Sequence, residues 1–465
     1  MLLDIDKKNP ESIAVKDSDS NRLTYGDIIR LSEEITQSLG QREFIFLLCN
    51  NNIGGIAWVM AAIISGSVPL ILNANMECRL LENLISLYTP RYICRPQYNY
   101  SEKNNYKLKK YGYCLYETKY KSPKLYPDLS HLLPSSGSTG SPKLIRHKYS
   151  NIEASAKNIS TLFRLTNKER PLLVLPLYYT MGLSVVFSHL KVGATILITD
   201  KKMTDPAFWK FFKEEEATSF TGVPFSYEIL DKMRFYRMNL PHLHLLTQGG
   251  GKMPEDLNRR FVEYCVQTGR IWIATYGQSE GTARMAWLPE DFALSKMGSI
   301  GIAVPNGRLS LIDDEGDEIK NSPAIGEMCY EGENVTMGYA FNREDLNLGD
   351  DRHGFLKTGD IAYRDEDGFY YIKGRIGRFL KIYGNRISLD ECEHILKSRL
   401  NCDCAFSGND EKIIIYITDP LIKNKVHEVM LEVLKIPSNI IEIRILDSIP
   451  KNQAGKTLYS KLENY

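Results

Sequence analysis

Five short segments carry residues whose types and spacing could do chemistry. The first is SSGSTGSPK, Ser135 to Lys143, with two glycines, four serines, a threonine and a lysine. Glycines let successive backbone N–H groups turn toward one point, hydroxyls add donors, and a lysine adds charge. A loop built this way can hold phosphate oxygens. It is not a GxxxxGK[ST] loop, because Lys143 follows Pro142. A plain Ser/Gly surface turn has the same composition. The second is YGQSEG, Tyr276 to Gly281, directly after the apolar run Ile271–Thr275. Gly277, Ser279 and Gly281 match GxSxG, the nucleophile elbow of serine hydrolases, which also needs an acid and a histidine downstream. His353, His394 and His427 are available. The other reading makes Glu280 the working group, a carboxylate at a strand's carboxyl end that can hold Mg²⁺. The third is KTGD, where Asp360 is either a turn residue or an acceptor for a ribose diol. The fourth runs from Gly374 to Glu393 and places Arg375, Arg378, Lys381 and Arg386 within twelve residues. It reads as a solvated basic face or an anion site. The fifth, IPKNQAGKTLYSKL, puts Lys456 after Gly455. Gly455-Lys456-Thr457 mimics the end of a phosphate loop, but Pro450 stands where its first glycine would be.

These segments must be held by regular elements. TYGDIIRLSEEITQSL predicts a helix capped by Thr24 and Asp27, with Ile28, Leu31, Ile35 and Leu39 on one face. Phe44–Leu48 reads as a buried strand. Ile53 to Leu72 carries no charge for twenty positions, a membrane-spanning length. Gly54, Gly55, Ser65, Gly66, Ser67 and Pro69 interrupt it, so the expectation is a buried helix over 53–64, a turn, and a strand over 68–72. Residues 95–128 are Tyr- and Lys-rich and are expected to cross the surface. Further strands are expected at Leu172–Leu175, Ala194–Ile198, Leu243–Thr247 and Ile271–Thr275, with helices over 205–216 and 255–268 between them. This alternation predicts an α/β core with largely parallel strands. From 298 to 374, Gly, Pro and Asp-Glu-Gly turns between short alternating runs predict antiparallel strands. Residues 375–465 read as helix, strand, helix, strand, a small α+β unit. The fold class expected is therefore α/β. A large domain of mixed, mostly parallel sheets flanked by helices spans 1–374 and includes a small β subdomain. A small C-terminal domain spans 375–465.

Composition narrows the function classes. The 465 residues allow two to four domains. Lys+Arg is 58 and Asp+Glu is 57, a balance of +1 that argues against a partner such as nucleic acid or an anionic membrane. Nine cysteines with no CxxC pair read as reduced thiols and suggest a cytoplasmic protein. The start, MLLDIDKKNP, is polar at once and does not read as a signal peptide.

In this order and spacing the five segments resemble the adenylate-forming family of acyl-CoA synthetases, aryl-acid ligases, stand-alone adenylation domains and luciferases. LTYGD, PLILNAN, PLYYTMGLS, GVP, the glycines at 249–251 and GEMCYEGENVTMGY extend the likeness over nearly the whole chain. The resemblance implies activation of a carboxylic acid as its adenylate, with ATP and Mg²⁺. Transfer then follows to coenzyme A or to the phosphopantetheine of an acyl or aryl carrier protein. It implies that Ser135, Ser136, Gly137, Ser138, Thr139 and Gly140 with Lys143 hold the β- and γ-phosphates, Thr139 catalytically. Tyr276 would lie beside the adenine, and Gly249, Gly250 and Gly277 would belong to the nucleotide site. Glu280 would hold magnesium, and Ser279 stands where the family often has threonine. Asp360 would bind the ribose with Arg375 beside it, and Lys456 would contact the acid's carboxylate and the α-phosphate. The acid pocket by register comprises Tyr178, Tyr179, Gly182, Thr247, Gly249, Thr275, Ala283 and Arg284. Arg284 could pair with a second carboxylate or polar group. No acidic residue lies between Pro171 and Thr195, which disfavours an α-amino acid. The family's C-terminal domain rotates between two poses about a pivot that usually carries Asp or Lys. Here the pivot is Gly377. The competing readings are a serine hydrolase using Ser279 and a non-catalytic nucleotide-binding protein.

Overall fold

The Thr24 cap forms as its sequence requires. Its Oγ1 accepts the Asp27 N–H (3.0 Å) while Asp27 Oδ2 accepts the Thr24 N–H (2.9 Å), and the helix Tyr25–Leu39 ends at Gly40 with φ +70°. Ile28, Leu31 and Ile35 on its inner face are buried. They pack against the helix Ile53–Ile64, in which every residue from Ile53 to Ile63 is buried. The twenty-residue uncharged stretch is thus core. Among the described residues no helix is long and apolar enough to cross a membrane. This computed structural model describes residues 1–97, 106–135, 143–382, 385–409, 411–434, 436–452 and 455–462.

Two large sheets sandwich these helices. One has nine strands in the order Ile302–Ala303, Ala286–Leu288, Ile271–Tyr276, Leu245–Gln248, Ser219–Gly222, Pro171–Leu173, Ile196–Ile198, Ile13–Asp17 and Arg22–Thr24. Its six central strands are parallel and its edges antiparallel. The other has eight strands, with Phe44–Cys49 central between Val68–Asn73 and Tyr92–Pro96. Toward one edge it has the hairpin of Leu129–Pro134 and Leu144–Lys148, the strands that flank the Ser/Gly segment in sequence, followed by the edge strand Tyr339–Ala340. Residues 95–128 do not simply cross the surface. Leu108–Lys110 and Tyr113–Glu117 extend the eight-stranded sheet, and Tyr113, Cys114 and Leu115 are buried. The tyrosine hydroxyl hides the alternation, because buried Tyr113 keeps its oxygen bonded to Asn50 N–H (3.0 Å) and Asn52 Oδ1 (3.1 Å).

The β subdomain is a four-stranded antiparallel sheet ordered Arg308–Ile312, Ala324–Glu331, Phe355–Arg364 and Tyr370–Arg375. A small C-terminal domain follows. It contains the hairpin Phe379–Ile382 and Asn385–Ser388, the helices Leu389–Leu400 and Lys423–Leu434, and the three-stranded sheet Cys404–Asn409, Lys412–Ile417, Ile441–Ile445. Its core is separate, built on Leu396, Phe406, Ile413, Ile415, Val426 and Met430.

Candidate active site

Tyr276 ends the strand Ile271–Tyr276 of the parallel sheet, where backbone groups open to a ligand, whereas Asp360 lies inside the antiparallel strand Phe355–Arg364. Ser135 and Lys143 close the base of the Ser/Gly loop, with Ser135 N–H donating to the Lys143 carbonyl (2.9 Å). Ser136, Gly137, Ser138, Thr139 and Gly140 lie outside the described residues. The Lys143 ammonium sits 3.8 Å from the ring centroid of Tyr339, and the Arg352 guanidinium 4.7 Å from the same ring. The Tyr339 hydroxyl donates to Glu280 Oε1 (2.7 Å). The Glu280 carbonyl is held by Thr336 N–H (2.9 Å) and Thr336 Oγ1 (3.0 Å). The backbone of Glu280 is therefore fixed, and its carboxylate is steered by a tyrosine.

Asp360 is nearly buried and gathers three partners. Arg375 Nε donates to Oδ1 (2.8 Å), Gln278 Nε2 donates to Oδ2 (2.9 Å), and the Tyr276 hydroxyl also donates to Oδ2. Gln278 Nε2 further reaches the Thr358 carbonyl (2.8 Å). Burial, then the Asp360 charge, pushes the Tyr276 hydroxyl well above its ordinary pKa, so it stays a donor. Gly277 is required because a Cβ there would lie 1.6 Å from the Ala283 carbonyl oxygen.

Lys456 enters from the C-terminal domain. Its turn is closed by Asn452, whose Oδ1 accepts Lys456 N–H (2.9 Å) and whose N–H donates to the Lys456 carbonyl (2.8 Å). Gly455 has φ +74°, and a Cβ there would meet Phe225 Cβ at 3.0 Å. The turn thus seats against the large domain just after the GVP segment. The residue as a whole is exposed, yet desolvation around its ammonium, followed by repulsion from Arg375, lowers its pKa. Glu280 and Asp360 oppose that fall, which puts all four charges within electrostatic reach.

Between these groups lies a cleft of about 500 Å³, lined among others by Gln278, Glu280, Tyr339, Arg352, Lys357 and Arg375. Arg352, Lys357 and Arg375 line it with Glu280, Lys143 stands on the lining Tyr339, and Lys456 is within electrostatic reach, so cations outnumber the carboxylates Glu280 and Asp360. Such an excess in a confined site suits a polyanion. Among the described residues no cluster of three His, Cys, Asp or Glu could hold a metal alone. Magnesium does not need one, since it binds through one or two carboxylates and completes its shell with phosphate oxygens and water. Glu280 fits that requirement.

The predicted acid pocket is partly polar. Thr247 Oγ1 bonds Thr221 Oγ1 (2.9 Å), Thr275 Oγ1 donates to the Gln248 carbonyl (2.9 Å), and Tyr227 donates to the Thr247 carbonyl (2.7 Å). A Cβ on Gly249 would lie 2.7 Å from Thr275 Oγ1, and Gly250 has φ +79°. Tyr178 and Tyr179 stand side by side, centroids 4.9 Å apart. Gly182 serves packing: a Cβ there would strike the Pro176 carbonyl oxygen at 2.2 Å. Thr282 (φ 47°) and Ala283 (φ 80°) form a left-handed turn that costs roughly 1–3 kcal/mol per residue. It is held by Ser155, which donates to the Thr282 carbonyl (2.8 Å), and by Asn334 Nδ2, which donates to the Gly281 (2.7 Å) and Arg284 (3.1 Å) carbonyls.

Tyr339, Arg352 and Gln278 were not picked out by sequence reasoning. Tyr339 ends the TMGY stretch at 336–339, which is its signal in the sequence. Arg352 has no local spacing that would single it out. The basic run from Arg375 is also not one face. Arg375 joins the Asp360 cluster, whereas Arg378 turns into the small domain toward Asp390 Oδ1 (2.8 Å) and Glu393 Oε1 (2.5 Å). The side chains of Lys381 and Arg386 lie outside the described residues.

Ser279 is not set up as a nucleophile. Its Oγ accepts a hydrogen bond from Thr180 Oγ1 (2.8 Å). His427 faces Ser438 (3.0 Å), His353 sits in an exposed turn at Asp350, and His394 lies on the helix Leu389–Leu400 of the C-terminal domain. A nucleophilic serine needs a base in hydrogen-bond reach. Fluorophosphonate probes are therefore expected to leave Ser279 unlabelled by mass spectrometry. Ser279→Ala should lower acid activation by no more than about tenfold, the scale of one neutral hydrogen bond.

A model of the AMP-binding enzyme family matches residues 4–340, and the chain belongs to that family. It is 30% identical to an oxalate–CoA ligase of Arabidopsis thaliana over 71% of this chain and 66% of that protein. The chain thus spans just under two thirds of that relative's length. It is 24% identical to a 2-succinylbenzoate–CoA ligase of Oceanobacillus iheyensis over 98% of this chain and 96% of that one. Its fold is similar to that of the O-succinylbenzoate coenzyme A synthetase of Bacillus subtilis in complex with AMP. The TM-score is 0.81 at 21% identity, covering 99% of this chain and 97% of that one.

Proposed function

We propose that the chain is an ATP-dependent acid–thiol ligase. An oxygen of the acid's carboxylate attacks the α-phosphorus of ATP, pyrophosphate leaves, and an acyl- or aryl-adenylate forms. A thiol then attacks the acyl carbon and AMP leaves. The observation that carries this reading is that Lys456, from a turn near the C-terminus seated at Phe225, comes within electrostatic reach of Glu280, Asp360 and Arg375 of the large domain. Two anions must approach each other before any bond forms, so the site's task is electrostatic. Lys456 would screen the carboxylate and the α-phosphate together. Lys143 and the Ser135–Gly140 loop, with Thr139, would take the departing pyrophosphate. Tyr276 would pack beside the adenine, with Gly249, Gly250 and Gly277 giving the ring room. Asp360 would receive the ribose hydroxyls, with Arg375 alongside. Glu280 would hold magnesium, which neutralises phosphate charge when bound. Tyr178, Tyr179, Gly182, Thr247, Thr275, Ala283 and Arg284 would shape the acid pocket.

We place the protein in the cytoplasm, a reading supported by nine cysteines that include no CxxC pair. The relatives named as CoA ligases favour coenzyme A as acceptor over a carrier-protein phosphopantetheine. The two domains would part at residues 376–378, next to the expected boundary at 374/375. There Arg378 N–H donates to the Arg375 carbonyl (2.9 Å) and Gly377 has φ +90°. That value at the third position of a turn calls for glycine. Gly377→Ala should therefore disfavour the pose that seats Lys456 and slow adenylation about tenfold, from the 1–2 kcal/mol strain of a left-handed alanine. Single-turnover formation of the adenylate measures it. The reading as a whole is tested by trapping the acyl-adenylate and then adding coenzyme A or a phosphopantetheinylated carrier protein. Release of AMP with one acceptor and thioester by mass identifies the thiol; release with neither rejects the ligase reading.

A further inference from the structure

Arg284 is 3% exposed, and among the described residues its contacts include no carboxylate. Its Nη1 donates to Ser184 Oγ (2.8 Å), and its guanidinium carbon lies 5.0 Å from the Phe163 ring centroid. Its Nε and Nη2 are buried without any hydrogen-bond partner. Those two nitrogens form one edge of the guanidinium, the edge that offers two parallel N–H bonds to a carboxylate. Burial pulls its pKa down to about 10, opposed by Tyr227, and it remains a cation at neutral pH. His189, also buried, has its pKa lowered to about 4 and supplies no negative charge. An unpaired buried cation is strongly unfavourable, and burying it beside an anion relieves the penalty.

The position is not incidental. Arg284 follows Glu280 by four residues, through the left-handed turn at Thr282 and Ala283 that Asn334 and Ser155 hold. Its partner Ser184 donates to the Met181 carbonyl (2.7 Å), and Met181 Cε would lie 2.9 Å from a Cβ on Gly249. Through Ser184 and Met181, Arg284 is linked to the Gly249 segment, where Thr275 Oγ1 also closes in, among the residues expected to line the acid pocket.

We propose that Arg284 determines substrate class: the acid is a short dicarboxylic acid, one carboxylate being adenylated and the other received by the Nε and Nη2 edge of Arg284. This rests on the ligase reading. The test is ATP–pyrophosphate exchange with short dicarboxylic acids, two to six carbons long, each paired with its monomethyl ester and the monocarboxylic acid of equal length. For the best diacid, kcat/KM should exceed that of its ester by about a hundredfold or more, the scale of losing one partner of a buried charge pair. In Arg284→Met that ratio should collapse to a few-fold, and Arg284→Lys should restore part of it. Wild-type preference for monocarboxylic acids overturns the proposal, as does a ratio unchanged in Arg284→Met. If Arg284→Met does not fold, the wild-type diacid-to-ester ratio decides alone. Exchange with monoacids only would sink this inference and spare the ligase reading; no exchange with any acid would sink both.

Discussion

Lys456→Ala should leave the chain folded and able to bind ATP, yet lower acid-dependent ATP–pyrophosphate exchange by about 10²–10³-fold, the effect of removing one charge-stabilising donor from a preorganised site. The ammonium lies within electrostatic reach of Arg375, Glu280 and Asp360, on a turn held by Asn452. Removing the side chain takes away no core contact, because the turn is seated through Gly455 on Phe225. Its lowered pKa shows that the site keeps a cation there at a desolvation penalty, and an incoming triphosphate relieves that penalty. The decisive detail is which half-reaction suffers. Exchange should fall while thioester formation from supplied acyl-adenylate continues, since Lys456 would act where the carboxylate meets the α-phosphate. Stopped-flow or single-turnover assays of each half separate them. Equal loss in both would assign Lys456 to domain seating instead of chemistry.

Asp360→Ala should raise the KM for ATP by about a hundredfold with the acid's KM little changed, the loss expected when a charged hydrogen-bond partner is deleted. It should also lower stability by about 1–3 kcal/mol, because Tyr276 and Gln278 lose a shared buried acceptor. The Arg375 pair adds little to that figure, since the Arg375 side chain is 58% exposed. Asp360→Asn keeps the shape and an acceptor for Tyr276, and should retain more stability than it retains ATP affinity. Thermal melting with and without ATP reads both quantities. A variant that melts lower but binds ATP unchanged would make Asp360 a structural residue only.

The legible parts of this chain were those fixed by local chemistry. Thr24 and Asp27 announce a helix start because a capping box is made of two side chains three residues apart. The helix Ile53–Ile64 and strand Val68–Asn73 are legible because Ser65, Gly66 and Ser67 break an apolar run between them. Lys456, Glu280 and Asp360 were legible only as members of an ordered set, since each lies in a motif that alone means a turn. What escaped was set by distant partners. Tyr113–Glu117 joins a sheet edge across residues that look polar, and Arg352 reaches the site through Tyr339 and Thr336 rather than through any spacing. Conversely, the GxSxG match at Ser279 is a local signal that the surroundings do not support, because its hydroxyl faces Thr180. The isolation of Arg284 is likewise a property of packing, invisible until Ser184, Phe163 and Tyr227 are brought around it.

The most direct measurement is ATP–pyrophosphate exchange by the unaltered protein over a panel of hydroxy, aryl, fatty and dicarboxylic acids. Exchange should depend strictly on one acid class and on magnesium. ATP binding without exchange for any acid would contradict this and leave a nucleotide-binding protein in place of a ligase.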